Sequence, residues 1–526
     1  MEIKKISTEY LIILFFFFIQ VNEAQEAKER PNVILIMCDD LNDYQQVFGG
    51  HKQAITPNID KMAKTGVQFI NAQSNVPVCQ PSRNSLFTGV YPHRSKDYGW
   101  TDHRKQPVLK NNKTIMRMFQ ENGYYTLGTG KLTHGKSIKN WDKWGLQINH
   151  NYGPLYFDGE NLGSNPSVPF PYSKIGPVDG SYGRLSDAGT SEGKIKGEKG
   201  WVYGRDKKPF RYIHDNDRDL LQDELHAKWA VQQIKEMEQT AINQPFFMGI
   251  GFVRPHTPLH APDKYFDMFP MDELELSDWI PEDKNDTFWD ENFKSTLKGP
   301  RYYKTILDSY GGNRELALKH FLQAYLACVA FVDDQIGFVL DALDKSKFRE
   351  NTIVIVTSDH GWQMGEKQFL FKNSPWEESA RIPLVIHSPS MIKAAKVKQP
   401  VSLIDLFPTL MELCNLEGNH KINDQGGDLG GYSLVPFLLD DNEKSWEGPS
   451  GALTIVGNCG KSVPTENQNF SYRTENFRYI LYGNGNEELY DHEKDPFEWK
   501  NVAQKKSYKK IRKNLRTEMM KIIETR

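Results

Sequence analysis

Two segments far apart in the chain share one pattern. In "PNVILIMCDD" a continuous apolar run stops at Asp39 and Asp40, and in "NTIVIVTSDHG" a second run stops at Asp359 and His360. Runs without polar alternation predict strands buried on both faces, the signature of a parallel sheet covered by helices. Ligand crevices in such sheets lie beyond the carboxyl ends of the strands, so the two polar pairs are expected to converge. "PFFMGIGF" (Pro245 to Phe252) predicts another strand. Leu318, Leu322, Tyr325, Val329, Val332, Ile336 and Val339 alternate spacings of four and three, which predicts a long helix with one buried stripe. Strand and helix in alternation indicate an α/β domain. Asn151 to Phe210, rich in Gly, Ser, Pro and Asp and without periodicity, predicts long surface loops, either a roof over a site or decoration. A polar link near Asp440 to Gly451 precedes "FRYILYG", "EELYDHE" and a basic helix, expected to form a smaller subdomain with an antiparallel sheet. The boundaries read as 28–440 for the large domain and 441–526 for the small one, with no internal repeat.

Residues 1–24 carry Lys4 and Lys5 ahead of an apolar run from Leu11 to Ile19, then small residues near Ala24. That run is short of the ~20 residues a membrane-spanning helix needs and reads as a cleaved secretory signal. The expected product is soluble, without a stable membrane anchor, and secreted or periplasmic. The chain has 526 residues, with 65 basic against 68 acidic side chains and a net charge of -3, which disfavours nucleic acid as a partner. Five cysteines, Cys38, Cys79, Cys328, Cys414 and Cys459, are too few and too scattered for a disulfide framework. Packing in apolar segments accounts for Cys38, Cys328 and Cys414; Cys79 stands in a polar loop, "VPVCQPSRNSLFTG", and needs another explanation.

The residues after Cys79 look like a helix opening, and a helix amino end is a favourable seat for an anion. "CQPSRNSLFTG" resembles the signature of the type I sulfatases, and the resemblance extends in order over nearly the whole chain. It implies an alkaline-phosphatase-like sulfatase fold: a large, mostly parallel mixed sheet flanked by helices, with a C-terminal α+β subdomain containing an antiparallel sheet. It further implies that Cys79 is oxidised to Cα-formylglycine by a formylglycine-generating or anaerobic sulfatase-maturing enzyme. The hydrated aldehyde offers one oxygen to attack sulfur and another to expel sulfate, a release route a thiol lacks. Asp39, Asp40, Asp359 and His360 resemble the family's divalent-cation ligands, with Cys79, and carboxylate oxygens suit one Ca²⁺. Asn is common at the His360 position in other sulfatases.

By the same resemblance, "GTGKLTHG" supplies Lys131 to sulfate and His134 to the nucleophile, and His256 in "VRPHTPLHAP" stands near the leaving oxygen. Lys372 matches the second sulfate-contacting lysine better than its competitor Lys367. Arg83 is expected to steady the nucleophile. "DHGWQMGEKQ" and "RPHTP" are closest to the iduronate-2-sulfatase-like branch, which implies a sulfated oligo- or polysaccharide substrate, algal or glycosaminoglycan. Trp100, Asp102, His103 and Trp376, with the Asn151 to Phe210 loops, are candidates for substrate contact, an aromatic ring to stack on a sugar and polar groups to orient it. Two rival readings share the scaffold: a phosphodiester or phosphonate ester hydrolase, and a noncatalytic carbohydrate-binding relative.

Overall fold

The computed structural model describes residues 30–134, 138–146, 152–190, 198–240, 244–292, 297–389, 391, 394–439, 445–457 and 464–525. The predicted signal segment and Cys459 lie outside the described residues. The main sheet has eight strands: β1 (Asn32–Asp39), β2 (Val67–Phe69), β3 (Tyr125–Gly130), β4 (Lys143–Trp144), β5 (Phe246–Pro255), β6 (Thr352–Ser358), β7 (Leu384–His387) and β8 (Ala395–Val397). They lie in the order β8-β2-β7-β6-β1-β5-β3-β4. Only β7 runs antiparallel to both its neighbours, so the sheet is mixed but mostly parallel.

The absence of alternation in β1 has a direct cause in packing. Ile34, Ile36 and Cys38 point into one hydrophobic core, and Val33, Leu35 and Met37 into the core on the opposite face. Both faces are covered, so Val33 to Cys38 are all apolar. Helix α1 (Cys79–Thr88) contributes Leu86 and Phe87 to one layer, while α2 (Gln222–Gln239) and α3 (Arg314–Asp344) belong to the other. The α3 stripe is present, but Phe321, Leu326, Ala327, Cys328 and Phe331, outside it, are buried as well. This helix is covered on more than the one face its spacing predicts.

Register sets the site. β1 and β6 pair in parallel with Cys38 opposite Ser358, and β5 flanks β1 on the other side with a register shift that sets Asp39 opposite Pro255. The polar residues following all three strands therefore emerge at one edge. The structure corrects one expectation about local setting: Cys79 is the first residue of α1, not part of a loop. Pro81 falls in the first turn, where a missing N–H breaks no helical bond.

The segment 151–210 is more structured than its composition suggests, with short strands at Leu155–Phe157, Leu162–Gly163, Tyr182–Arg184 and Gly200–Val202. The C-terminal antiparallel sheet comprises β9 (Gly451–Val456), β10 (Asn469–Thr474), β11 (Phe477–Leu481) and β12 (Glu487–Asp491), with α4 (Lys509–Thr525) beyond it. β9 braces the approach to Cys79: Thr454 Oγ1 donates to the Ser74 carbonyl at 2.6 Å and the Ile455 amide to the Asn75 carbonyl at 2.8 Å.

Candidate active site

Asp40 directly follows β1 with φ of 64°, a left-handed conformation that non-glycine residues rarely hold. Its amide donates to Asp359 Oδ1 at 3.3 Å and its carbonyl accepts Tyr325 Oη at 2.8 Å, which pins the turn. The carboxylates of Asp39 and Asp40 are thereby both delivered to the start of α1. At the end of β6, the Asp359 carbonyl accepts Ser74 Oγ at 2.7 Å and Ser82 Oγ at 2.6 Å. This ties the Asp359–His360 turn to the helix that carries Cys79.

Cys79, wholly buried, is the focus. Lys372 Nζ lies 3.1 Å, His360 Nε2 3.3 Å and Lys131 Nζ 3.9 Å from Sγ. Lys372 also donates to Asp40 Oδ1 at 2.7 Å, and Lys131 pairs closely with Asp39 Oδ2. Arg83, fully buried, binds Asp359 Oδ2 through Nε at 2.7 Å and donates from Nη1 to the carbonyls of Lys131 and Leu132. Its Nη2 is 3.3 Å from Asp39 Oδ1. Arg83 thus joins the α1, β1, β3 and β6 ends around one point. His256 follows β5 with Nε2 3.7 Å from Asp40 Oδ2. Its Nδ1 is 2.5 Å from the Thr257 carbonyl, so Nδ1 carries the proton and Nε2 faces the site.

The electrostatics are those of a site arranged around a cation. Asp39, Asp40, Cys79 and His360 place one ligand atom each within 4.8 Å of the others. Asp39 Oδ1 and Asp40 Oδ2 are buried without a hydrogen-bond partner, an expensive state for carboxylate oxygens that a cation relieves. Burial pushes the Asp40 carboxyl up to about 8, and Asp39 and Asp359 push the same way against Lys372. Burial also works on Asp39, but Lys131, His256 and Arg83 outweigh it and hold that carboxyl well below its ordinary range. His360 is pushed down to about 4 by burial and is a neutral imidazole; Nδ1–H faces the Gly361 carbonyl at 3.0 Å, leaving the Nε2 lone pair directed at the Cys79 thiol. Asp359 stands just behind this group, with Oδ2 3.6 Å from His360 Nε2 and its oxygens already engaged by Arg83 and by the amides of Asp40 and His360.

Burial, then the Asp39 charge, push the Cys79 thiol well above its ordinary value, so among these protein groups it is not a thiolate. Above it opens a cavity of about 800 Å³ lined by Trp100, His134, Tyr152, Asp179, His256, Lys298 and Lys372, among others. Trp100 is 54% exposed, and its ring sits 4.7 Å from that of His134. The segment 151–210 roofs this cavity through Tyr152, Ile175 to Asp179, Arg205 and Asp206.

Three of the substrate candidates stand elsewhere. Trp376 is buried against Trp289 and Phe369 and donates from Nε1 to Glu488 Oε2 at 3.1 Å, so it packs the seam with the C-terminal sheet. Asp102 is held by Arg104 through Nε at 2.9 Å, and with the buried His103 it lines a small separate hollow beside Gln80 and His134. An aromatic or charged doublet in a polar stretch does not reveal which way the fold turns it. Lys367, the competitor of Lys372, is buried on Asp283, with Nζ 2.5 Å from Oδ1. Tyr152 and Asp179 fall in the 151–210 segment expected as a roof, though no motif singles them out there, and Lys298, outside it, carries no signal in the sequence.

A family model described as "Sulfatase" matches residues 31–416, and one described as "N-sulphoglucosamine sulphohydrolase, C-terminal" matches residues 365–525. A "Sulfatase" of Formosa agariphila is 31% identical over 499 residues, covering 93% of this chain and 86% of the relative. An "Iduronate 2-sulfatase" of Mus musculus is 27% identical, covering 90% and 89%. The solved phosphonate monoester hydrolase of Agrobacterium radiobacter superposes with a TM-score of 0.65 at 22% identity, covering 94% and 95%. That likeness shows the shared fold, which solved sulfatases share too.

Proposed function

This chain belongs to the sulfatase family of sulfuric ester hydrolases, and from that premise we propose that it removes sulfate from a sulfated oligo- or polysaccharide at Cys79. The observation that carries the reading is the convergence on one buried atom. Two lysine ammonium groups, at 3.1 and 3.9 Å from Cys79 Sγ, stand beside a carboxylate group, under a cavity large enough for sugar rings. Lys131 and Lys372 neutralise the sulfate oxygens, and the charged, water-poor setting strengthens both contacts. Arg83 keeps Asp39 and Asp359 in place and stays charged while doing so.

His256 faces the cavity through Nε2. Burial, Lys372 and Lys131 keep it neutral in the free site, and the negative charge of an arriving sulfate ester favours its protonated form. From Nε2 it protonates the departing alcohol oxygen, which a sugar leaving group requires. Asp39, Asp40 and His360, with Asp359 behind them, are the residues that would hold a divalent cation; the oxygen-rich donor set favours Ca²⁺, which would offset sulfate charge. Formylglycine formed from Cys79 by a maturing enzyme would supply an oxygen nucleophile with its own release route. An exported location accords with the amino-terminal segment and with an extracellular polymer as substrate.

Trp100 at the cavity rim offers the face on which a sugar ring stacks. The name of the mouse relative, iduronate 2-sulfatase, supports a glycosaminoglycan-type sugar, and algal polysaccharides remain within the same chemical class. Sulfate release is measured from sulfated oligosaccharides of defined linkage, with phosphonate and phosphodiester esters in parallel. Protein from the native host is checked at Cys79 by mass spectrometry. Sulfate release with an aldehyde at Cys79 is expected. Preference for the phosphorus esters, or a uniform thiol at Cys79 in native protein, would overturn the proposal.

A further inference from the structure

We infer that Tyr152 is a positioning residue for the sulfate-transfer site, setting Lys131 and His256 at once; the inference rests on the sulfatase reading above. Its hydroxyl lies 3.2 Å from Lys131 Nζ, and its ring stacks on the His256 imidazole with centroids 4.5 Å apart and planes 20° from parallel. Lys131 also bonds Asp39 and faces Cys79 Sγ, and the phenol defines a third direction of its ammonium. His256 is held at Nδ1 by the Thr257 carbonyl, and the Tyr152 ring closes off rotation about that bond on one face. One side chain therefore spans the group that neutralises sulfate and the group that serves the leaving oxygen.

The backbone of this residue is built into place. Arg254, buried on the same strand that delivers His256, donates from Nη2 to the Gly153 carbonyl at 2.9 Å and to the Tyr152 carbonyl at 3.4 Å. The next carbonyl, of Pro154, faces Nδ1 of the buried His260 at 2.8 Å. A Cβ at position 153 would stand 1.8 Å from the Tyr203 carbonyl oxygen, so only glycine admits this close approach. Tyr152 is thus clamped to the β5 end that carries His256, although 104 residues of chain separate the two.

Two variants separate its roles. Tyr152→Phe keeps the stack and loses the hydroxyl; Tyr152→Leu loses both. Turnover is measured on 4-nitrophenyl sulfate and on phenyl sulfate, whose phenol is the poorer leaving group. With Tyr152→Phe, kcat is expected to fall about tenfold on both esters, the loss of a hydrogen bond to a charged group, with KM unchanged. With Tyr152→Leu the fall is larger on phenyl sulfate than on 4-nitrophenyl sulfate, because a displaced His256 matters most where the leaving oxygen needs a proton. In a Cys79→Ala background, the Kd of inorganic sulfate measured by calorimetry is expected to stay within about threefold when Tyr152→Leu is added. Wild-type kcat in Tyr152→Leu would refute the inference, as would a raised KM or a sulfate Kd weakened beyond that limit at unchanged kcat, either of which makes Tyr152 a binding wall. A wild-type protein that cleaves neither these esters nor any sulfated saccharide overturns the sulfatase reading and this inference with it.

Discussion

Lys367 and Lys372 stand five positions apart, are both buried, and are expected to differ in their effect on turnover when each is changed to Met. Lys372 Nζ bonds Asp40 Oδ1 at 2.7 Å and stands 3.1 Å from Cys79 Sγ, so it touches the reacting group. Losing one preorganised donor to developing charge lowers kcat about 10²–10³-fold, or ~2.7–4 kcal/mol. Lys367 Nζ instead bonds Asp283 Oδ1 at 2.5 Å, the Asp283 carbonyl at 3.0 Å and the Glu498 carbonyl. Its removal leaves the buried Asp283 carboxylate without its cation, a loss of about 3–5 kcal/mol of stability. Turnover is measured on the sulfated saccharide that wild type cleaves fastest, and stability by urea unfolding at neutral pH. Both variants are expected to show a lowered urea midpoint, since Lys372→Met likewise strips the buried Asp40 of its cation, but at low urea Lys372→Met has kcat collapsed and Lys367→Met has kcat preserved. Lys372→Met turning over within about threefold of wild type would refute its assignment, since a transition-state donor cannot be lost so cheaply. Lys367→Met losing kcat at an unchanged midpoint would return that lysine to the chemistry.

Chelation tests the cation site: metal-free protein is expected to lose turnover and to regain it with Ca²⁺, and Asp40→Asn to lower the apparent Ca²⁺ affinity measured by calorimetry. Trp376→Phe should leave KM for the saccharide unchanged while lowering the urea midpoint, because the indole packs on Trp289 and bonds Glu488. Glu498 ties the C-terminal sheet together, with Arg478 Nε at 2.5 Å and His492 Nε2 at 2.9 Å; burial opposes its ionisation, but Arg478 and His492 hold its carboxyl down at about 2. A carboxyl depressed in the folded state stabilises above its unfolded value of about 4.3 and loses that contribution as pH falls toward 2, roughly 3 kcal/mol in all. Glu498→Gln should therefore be less stable than wild type at neutral pH, and the difference should shrink between about pH 4 and 2.

The parts of this molecule that could be read from the sequence are those whose placement follows from local pattern. Uninterrupted apolar runs reveal β1 and β6, and a parallel register then brings Asp39, Asp40, Asp359 and His360 to one edge without further information. Cys79, Arg83, Lys131, His256 and Lys372 are marked by short motifs, and the structure sets the two lysines beside Cys79 Sγ and Arg83 and His256 against the neighbouring Asp39 and Asp40. Trp376, Asp102 and His103 stand out by residue type alone, and residue type does not say whether a ring meets solvent or the seam between two sheets. Tyr152 lies in a Gly- and Pro-rich stretch without periodicity, where no local rule applies. Its position comes from tertiary clamps, and two of these, Arg254 and His260, belong to "VRPHTPLHAP", the motif that marked His256. That motif therefore serves twice, presenting an imidazole to the leaving oxygen and anchoring the loop that packs against the imidazole. Its richness in buried polar residues, more than one catalytic histidine requires, is the trace that this anchoring leaves in the sequence.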